Sequence, residues 1–187
     1  RGTTWFDSLT LDKPVVFIDE FKPRNETNVM VRATEDKVYI GGSLLRTNAG
    51  RMDGMTYEGK YFFVDTAGIF AYGRFDQTES TYVKIIGTPT QDYVLMEIVS
   101  PPDDYTPLDN THVEGVRRVD YTNRKVWYEP CKNEKEDTFK GANVVPKDPR
   151  FMAQREGRLY IAGSDDNDDT VYITDSGNPY YFPVVLS

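Results

Sequence analysis

A short unit recurs along this chain, and a repeated strand unit that cannot bury its own apolar face constrains architecture more tightly than any single motif. Its clearest copy is Glu156-Gly-Arg-Leu-Tyr-Ile-Ala-Gly-Ser164, followed at once by Thr170-Val-Tyr-Ile-Thr-Asp-Ser-Gly-Asn-Pro-Tyr-Tyr-Phe182. Weaker copies are Glu35-Asp-Lys-Val-Tyr-Ile-Gly-Gly-Ser43, Glu58-Gly-Lys-Tyr-Phe-Phe-Val-Asp65 and Thr122-Asn-Arg-Lys-Val-Trp-Tyr128. Each places a polar turn and a basic residue ahead of three or four apolar or aromatic positions. The two C-terminal runs, each ended by small turn-forming residues, read as adjacent strands of one blade.

Aromatic and β-branched side chains suit pleated, half-buried surfaces, and the chain holds 13 Tyr, 10 Phe and 2 Trp beside 28% charged residues. That balance predicts an all-β fold with a well-solvated exterior. At 187 residues the chain can form a single all-β module with a real core, and nothing requires two. Its 22 basic against 30 acidic residues give a net charge of -8, which disfavours general affinity for nucleic-acid backbones or anionic membranes and leaves only a local basic face. The single Cys131 excludes an intrachain disulfide framework and reads as a passive small hydrophobe. No apolar run approaches the roughly 20 residues of a membrane helix, so no membrane anchor is expected. A start at Arg1 in place of Met leads to the expectation of a piece of a larger chain, with partner strands outside it.

Three short apolar runs, Val15 to Ile18, Val29 to Val31 and Val38 to Ile40, are separated by Pro- and Asn-containing connectors, the signature of a meander or propeller sheet. Tyr61 to Val64 and Ile69 to Tyr72 flank Asp65-Thr-Ala-Gly68, which predicts a hairpin. Tyr82 to Ile86 and Tyr93 to Val99, with Gly87 and Pro89 between them, are expected to pair with each other. Pro101-Pro-Asp-Asp-Tyr-Thr-Pro107 breaks regular structure and marks a possible subdomain boundary near 100–115. Val116 to Tyr121 and Lys125 to Glu129 around Thr122-Asn-Arg124 predict a further hairpin. The charged tract from Lys132 to Lys140 reads as part of a long surface excursion up to Pro149, with a short helix near Phe151. No stretch sustains a 3.6-residue apolar period, so little helix is expected elsewhere.

The unit from Val116 to Glu129 resembles the hairpin of β-propeller repeats, and Val171 to Asn178 is similar to the strand and turn that close an NHL-type repeat. A more specific resemblance spans Gly141 to Pro183. Asn143-Val-Val-Pro leads into Pro149-Arg-Phe, then Glu156 to Gly163, a polar tip, Val171-Tyr-Ile-Thr-Asp175 and Asn178-Pro-Tyr-Tyr-Phe-Pro183. That order resembles the propeller segment of tailed-bacteriophage tail proteins, the nozzle or tail-tube adaptor class, and the Glu58 to Asp65 hairpin is similar to their upstream blades. The resemblance implies antiparallel blades of a β-propeller or partial propeller with long loops. It also implies a virion location in the tail, a homo-oligomeric ring, contact with other tail or head-tail connector proteins, and transient contact with DNA passing a channel. It carries over no catalytic residue. The segment Pro101 to Gly115 departs from the pattern, and the spacing from Lys60 to Lys125 is about twice that from Lys125 to Arg158.

Residue groupings with chemical potential each have a plainer reading. Asp165-Asp-Asn-Asp-Asp169 is the densest cluster of oxygen ligands, but it lacks the Gly and distal Glu of an EF-hand loop and reads as a solvated hairpin tip. Asp103, Asp104, Glu114 and Asp120 could be drawn as paired carboxylates for glycoside hydrolysis, yet no spacing fixes their separation. His112 is the single histidine and has no Gly-x-Ser-x-Gly elbow for a triad, so it reads as a loop residue. Arg117, Arg118, Arg124 and Lys125 would form a small basic patch beside Tyr121 and Trp127 if they shared a face; a solvated strand face balanced by Asp120 and Glu129 is the plainer alternative. Asn25-Glu-Thr27 fits a glycosylation acceptor by chance composition. No residue is assigned to catalysis, a cofactor or a metal.

Two functions of different class remain. One is a non-enzymatic structural module that assembles with copies of itself and with tail partners. The other is a glycan-binding or glycan-cleaving propeller, with exposed Tyr and Trp stacking on sugar rings; propellers host many unrelated functions, so architecture alone does not decide.

Overall fold

The computed structural model describes residues 11–47, 50–102, 115–130, 143–164 and 167–186, without the side chains of 164, 167, 168 and 184. The described residues form fifteen strands and no helix, in three sheets of four, seven and four strands. The first sheet is an antiparallel meander of β1 (Phe17–Phe21), β2 (Val29–Ala33), β3 (Lys37–Ile40) and β4 (Ser43–Thr47). The third sheet repeats that plan with β12 (Phe151–Arg155), β13 (Arg158–Ser164), β14 (Asn167–Ile173) and β15 (Val184–Leu186).

Between them lies a mixed sheet of β5 (Asp53–Tyr57), β6 (Lys60–Asp65), β7 (Gly68–Gly73), β8 (Val83–Ile86), β9 (Val94–Ile98), β10 (Val116–Asp120) and β11 (Lys125–Glu129). Its spatial order is β5-β6-β7-β9-β11-β10-β8. The expected pairing of the Tyr82 and Tyr93 runs does not occur. The β10–β11 hairpin is inserted between them, and β8 pairs with β10 and β9 with β11, both in parallel. Two short apolar runs joined by a Gly-Pro linker carry the same local signature whether they pair or are spread apart. Here the linker bridges the intervening hairpin, and Gly87 sits at positive φ against Thr122 of the hairpin turn, where any Cβ would collide. Strands from both sides of residues 103–114 thus share one sheet.

The central sheet is buried on both faces. Successive side chains on a strand point to opposite sides, so on β6 the neighbours Phe62 and Phe63 enter two different cores. Phe62, Val64, Ile69, Ala71, Met96 and Ile98 pack against Leu159, Ile161, Tyr172 and the Tyr180-Tyr-Phe182 segment. On the other side Tyr61, Phe63 and Phe70 pack against Phe21, Val31, Ala33, Val38 and Ile40 of the first sheet. Buried Asn143 ties one layer shut: its Nδ2 donates to the carbonyls of Tyr128 and Tyr180, and its Oδ1 accepts from the Phe182 amide. The expected helix near Phe151 is instead strand β12. Its residues gain a full antiparallel ladder with β13, a ladder that a lone helical turn could not replace.

All four copies of the recurring unit fold alike, each as the second strand of a hairpin: β3, β6, β11 and β13. Each also lies inside its sheet, with a strand on either side, which is why its apolar positions are buried. Glu58-Gly59 and Glu156-Gly157 close their hairpins with both residues at positive φ, 48° and 76° in one and 52° and 73° in the other. This is the type I′ geometry that matches strand twist. Gly157 makes the turn economical because L side chains are strained there, by about 1–2 kcal/mol. Gly157→Ala is therefore expected to lower stability by about that amount, read as a shifted urea midpoint with unchanged m-value.

Candidate functional site

Of the groupings singled out from sequence, the described residues include the β10 arginines, Asp120 and Glu129. Arg117 and Arg118 lie on opposite faces of β10, so the basic patch does not form. The Arg117 guanidinium meets Asp76 at 2.6 Å and lies over the Tyr180 ring, while Arg118 Nε meets Glu129 at 3.0 Å. Glu129 also accepts from the Trp127 indole at 3.0 Å, so that carboxylate is fully committed. Asp120 is buried and accepts from the Thr122 and Asn123 amides and the Asn123 side chain, making it a turn cap for the β10–β11 hairpin. Of the acidic run Asp165 to Asp169, only Asp169 has a described side chain, and it is exposed. His112, Cys131, Asp103, Asp104 and Glu114 lie outside the described residues. Among the described residues no three His, Cys, Asp or Glu side chains gather as metal ligands.

Two charged arrangements emerge that sequence did not single out. Asp65, wholly buried at the end of β6, faces Arg46 of β4, whose Nε lies 2.9 Å from its Oδ2 while the guanidinium sits 3.9 Å over the Phe70 ring. The N–H is not aligned for a linear hydrogen bond, so the contact is chiefly coulombic. Burial pushes the Asp65 carboxyl above the usual carboxylate range, against the pull of the Ala67 amide and of Arg46. Likewise Tyr61, buried between sheets, donates its hydroxyl to Asp19 at 2.9 Å, and burial drives its pKa far up.

The second arrangement is a small cleft of about 210 Å³ where the β1–β2 turn meets the β5–β6 turn, lined by Arg24, Glu58, Gly59, Lys60, Arg74 and Tyr93. Gly59, at φ 76°, permits the approach: a Cβ there would lie 3.1 Å from the Cβ of Arg24. Arg74 is committed to Glu26 at 2.8 Å and lies over the Tyr93 ring. Lys60 is half-buried with its Nζ 5.4 Å from the centre of the Phe75 ring. Burial, then the Arg117 guanidinium, hold its ammonium below the ordinary lysine range, while Asp76 and Glu58 oppose that shift and Arg24 adds to it. The signal that could have found it is its place in the repeat, directly after a hairpin turn.

A larger groove of about 620 Å³ runs between the start of β1 and the 50–53 segment, lined in part by Val16, Phe17 and Met52. Large apolar side chains are exposed at several sheet edges. Val15 and Val16 precede β1, Ile18 lies on it, Leu44 lies on β4, Phe151 on β12, and Val185 and Leu186 on β15. All four strands are outermost in their own sheets, and β5 partly covers two of them: Thr56 Oγ1 accepts from the Lys22 amide and donates to the Glu20 carbonyl beside β1, and Asp53 accepts from the Met152 amide of β12. The edge strand β8 is covered by its own connector: its outward Ile85 amide donates to the Glu79 carboxylate at 3.0 Å and its Val83 carbonyl accepts from Ser80 at 2.9 Å. The chain blunts this edge itself.

No family model matches this chain, and no curated protein or solved structure does so either. No helix among the described residues is long and apolar enough to cross a membrane.

Proposed function

We propose that the protein is a non-enzymatic structural component of a phage virion tail, of the nozzle or adaptor kind, that assembles into a ring with its own copies and with other tail or head-tail connector proteins. One observation carries this reading: large apolar side chains are exposed on β1, β4, β12 and β15, each the outermost strand of one of the two four-stranded meanders. Edges of that kind recruit neighbouring chains unless they are blunted, and ring closure requires two different surfaces per subunit joined head to tail. The two four-stranded meanders have the strand number and order of propeller blades, which favours the propeller-type reading of the outer sheets. The seven-stranded mixed sheet fits a spacer between them. Contact with DNA in a channel belongs to the same proposal, but Arg117 and Arg118 do not supply it, because both are already paired with carboxylates.

Co-expression with tail partners followed by sedimentation or mass photometry tests the reading. A ring-sized species is expected. Val185→Asp or Ile18→Asp should abolish it while changing the stability of the isolated chain by no more than about 0.5 kcal/mol, as for ordinary surface substitutions. A chain that stays monomeric with its partners present, or that binds or cleaves a specific glycan on an array, would replace this reading with the glycan-directed alternative.

A further inference from the structure

An antiparallel sheet that packs one face on a core ordinarily turns polar side chains to water on the other, because successive residues point opposite ways. The third sheet departs from that rule. Met152, Leu159, Ile161 and Tyr172 supply its core face, so the residues alternating with them lie on the outer one. Strand register sets these outer residues in straight rows. Phe151, Ala162, Val171 and Leu186 form one row, and Ala153, Tyr160 and Ile173 belong to the next. None of the seven is charged and none is buried, Phe151 being 44% and Leu186 55% exposed, with the Arg51 guanidinium over the Phe151 ring. The first sheet follows the ordinary pattern: its outer rows, Ile18-Arg32-Tyr39-Leu44 and Glu20-Met30, each carry a charge.

On the third sheet charge flanks the apolar rows at the two ends. At the β12–β13 turn Arg155 stands opposite Arg158 in the register. Arg158 is engaged with the Thr174 carbonyl and Asp175, while Arg155 is exposed and meets only the exposed Glu156 of its own turn at 3.2 Å among the described residues, a surface pair of little strength. At the far end Asp169, exposed, shares the outward parity of Val171 and Ile173 on β14 and closes the acidic run Asp165-Asp-Asn-Asp-Asp169 that joins β13 to β14. With strands about 4.8 Å apart and rows about 6.7 Å apart, the face between these ends covers roughly 400 Å². Contiguous apolar patches of a few hundred Å² mark interaction sites.

We propose that this face binds the same face of a second copy, across a two-fold axis that lies in the sheet plane and runs perpendicular to the strands. Charge selects both the occupant and the axis. A two-fold along the strands would bring the two acidic runs together, whereas the perpendicular one lays each acidic run over the Arg155 turn of the other copy, and like charges brought into contact oppose association. The apolar rows then meet as the inner faces of an aligned sandwich do. A contact of this size is at the small end of specific interfaces, so the dimer is weak and concentration-dependent. It forms from the isolated chain, goes beyond the head-to-tail assembly above and does not rest on it.

Sedimentation of the isolated chain between about 1 and 500 μM tests the proposal, and a reversible monomer–dimer equilibrium is expected. Ile173→Lys, at the centre of the face, should weaken the dimer by about tenfold or more, and Tyr82→Ala, outside the third sheet, should leave it unchanged. Arg155→Asp and Asp169→Arg, at exposed positions that folding tolerates, should each weaken it, and the two together should restore it, since the swapped charges face one another again across the axis. A monomer at every concentration, whether the face stays bare or is covered by another segment of this chain, overturns the proposal. So does a dimer indifferent to Ile173→Lys, or a double charge swap no better than the single ones. Ring formation with tail partners is read in a separate experiment, so loss of this dimer leaves the assembly reading standing.

Discussion

Phe62→Ala and Phe63→Ala each lower the unfolding free energy by about 3–5 kcal/mol, the cost of removing a fully buried aromatic side chain. The two rings are neighbours in sequence and are 1% and 0% exposed. Phe62 meets Tyr57 at 5.9 Å and Tyr180 at 6.1 Å between centroids, while Phe63 stacks on Phe70 at 5.3 Å and tilts against Tyr61 at 6.3 Å. In a sheet with one solvated face only one of two adjacent positions is buried. Equal penalties at both therefore report a sheet covered on two sides. Against a total stability of about 5–15 kcal/mol for a domain, either loss is a large fraction. Urea unfolding of the two variants, with exposed Tyr82→Ala as a control expected within about 0.5 kcal/mol, checks the result. A near-zero cost at either phenylalanine would contradict the three-layer packing.

Arg46→Met destabilises the protein by about 3–5 kcal/mol near neutral pH, because it strands the Asp65 carboxylate without its cation. The dependence on pH separates this from lost packing on Phe70. Burial raises the folded-state pKa of Asp65 above its unfolded value, so the folded state holds more protons in that interval and stability falls as pH rises through it. Without Arg46 the folded pKa rises further. The penalty of the variant is then greatest at neutral pH and shrinks as pH falls through the raised pKa, where a neutral carboxyl needs no counter-charge. Stability curves for parent and variant between about pH 4 and pH 7 measure this. A penalty independent of pH would show that the guanidinium acts only by packing.

Local chemistry made much of the all-β plan legible. Glu-Gly ahead of a basic residue and an aromatic run marks a type I′ hairpin at Glu58 and at Glu156, and Asp120 two residues before Asn-containing turn residues marks the β10–β11 turn. Sheet order was less accessible. Both faces of the central sheet are apolar, so β8 and β9 look the same from sequence whether they pair together or embrace a hairpin, and only non-local packing separates the two outcomes. The tail resemblance rests on the Gly141 to Pro183 order, which the fold neither needs nor excludes. The plainer reading of the β10 arginines, charge balanced by a neighbouring carboxylate, fits the Arg118–Glu129 pair. Adjacent residues on a strand face opposite ways, so two consecutive arginines cannot build one patch. Lys60 gave the weakest signal, since its position matches those of Lys37, Lys125 and Arg158, and burial alone distinguishes it.

The hairpin lodged between β9 and β8 ties this half of the sheet together through two parallel ladders, so β8 has no partner in the sheet until the β10–β11 hairpin is in place. Both ladders join residues far apart in the chain, and such non-local steps are slow. β8 is a short edge strand with β10 as its sheet partner, so amide hydrogens shared by β8 and β10 should exchange through local opening well ahead of those in the internal, buried β6 and β7.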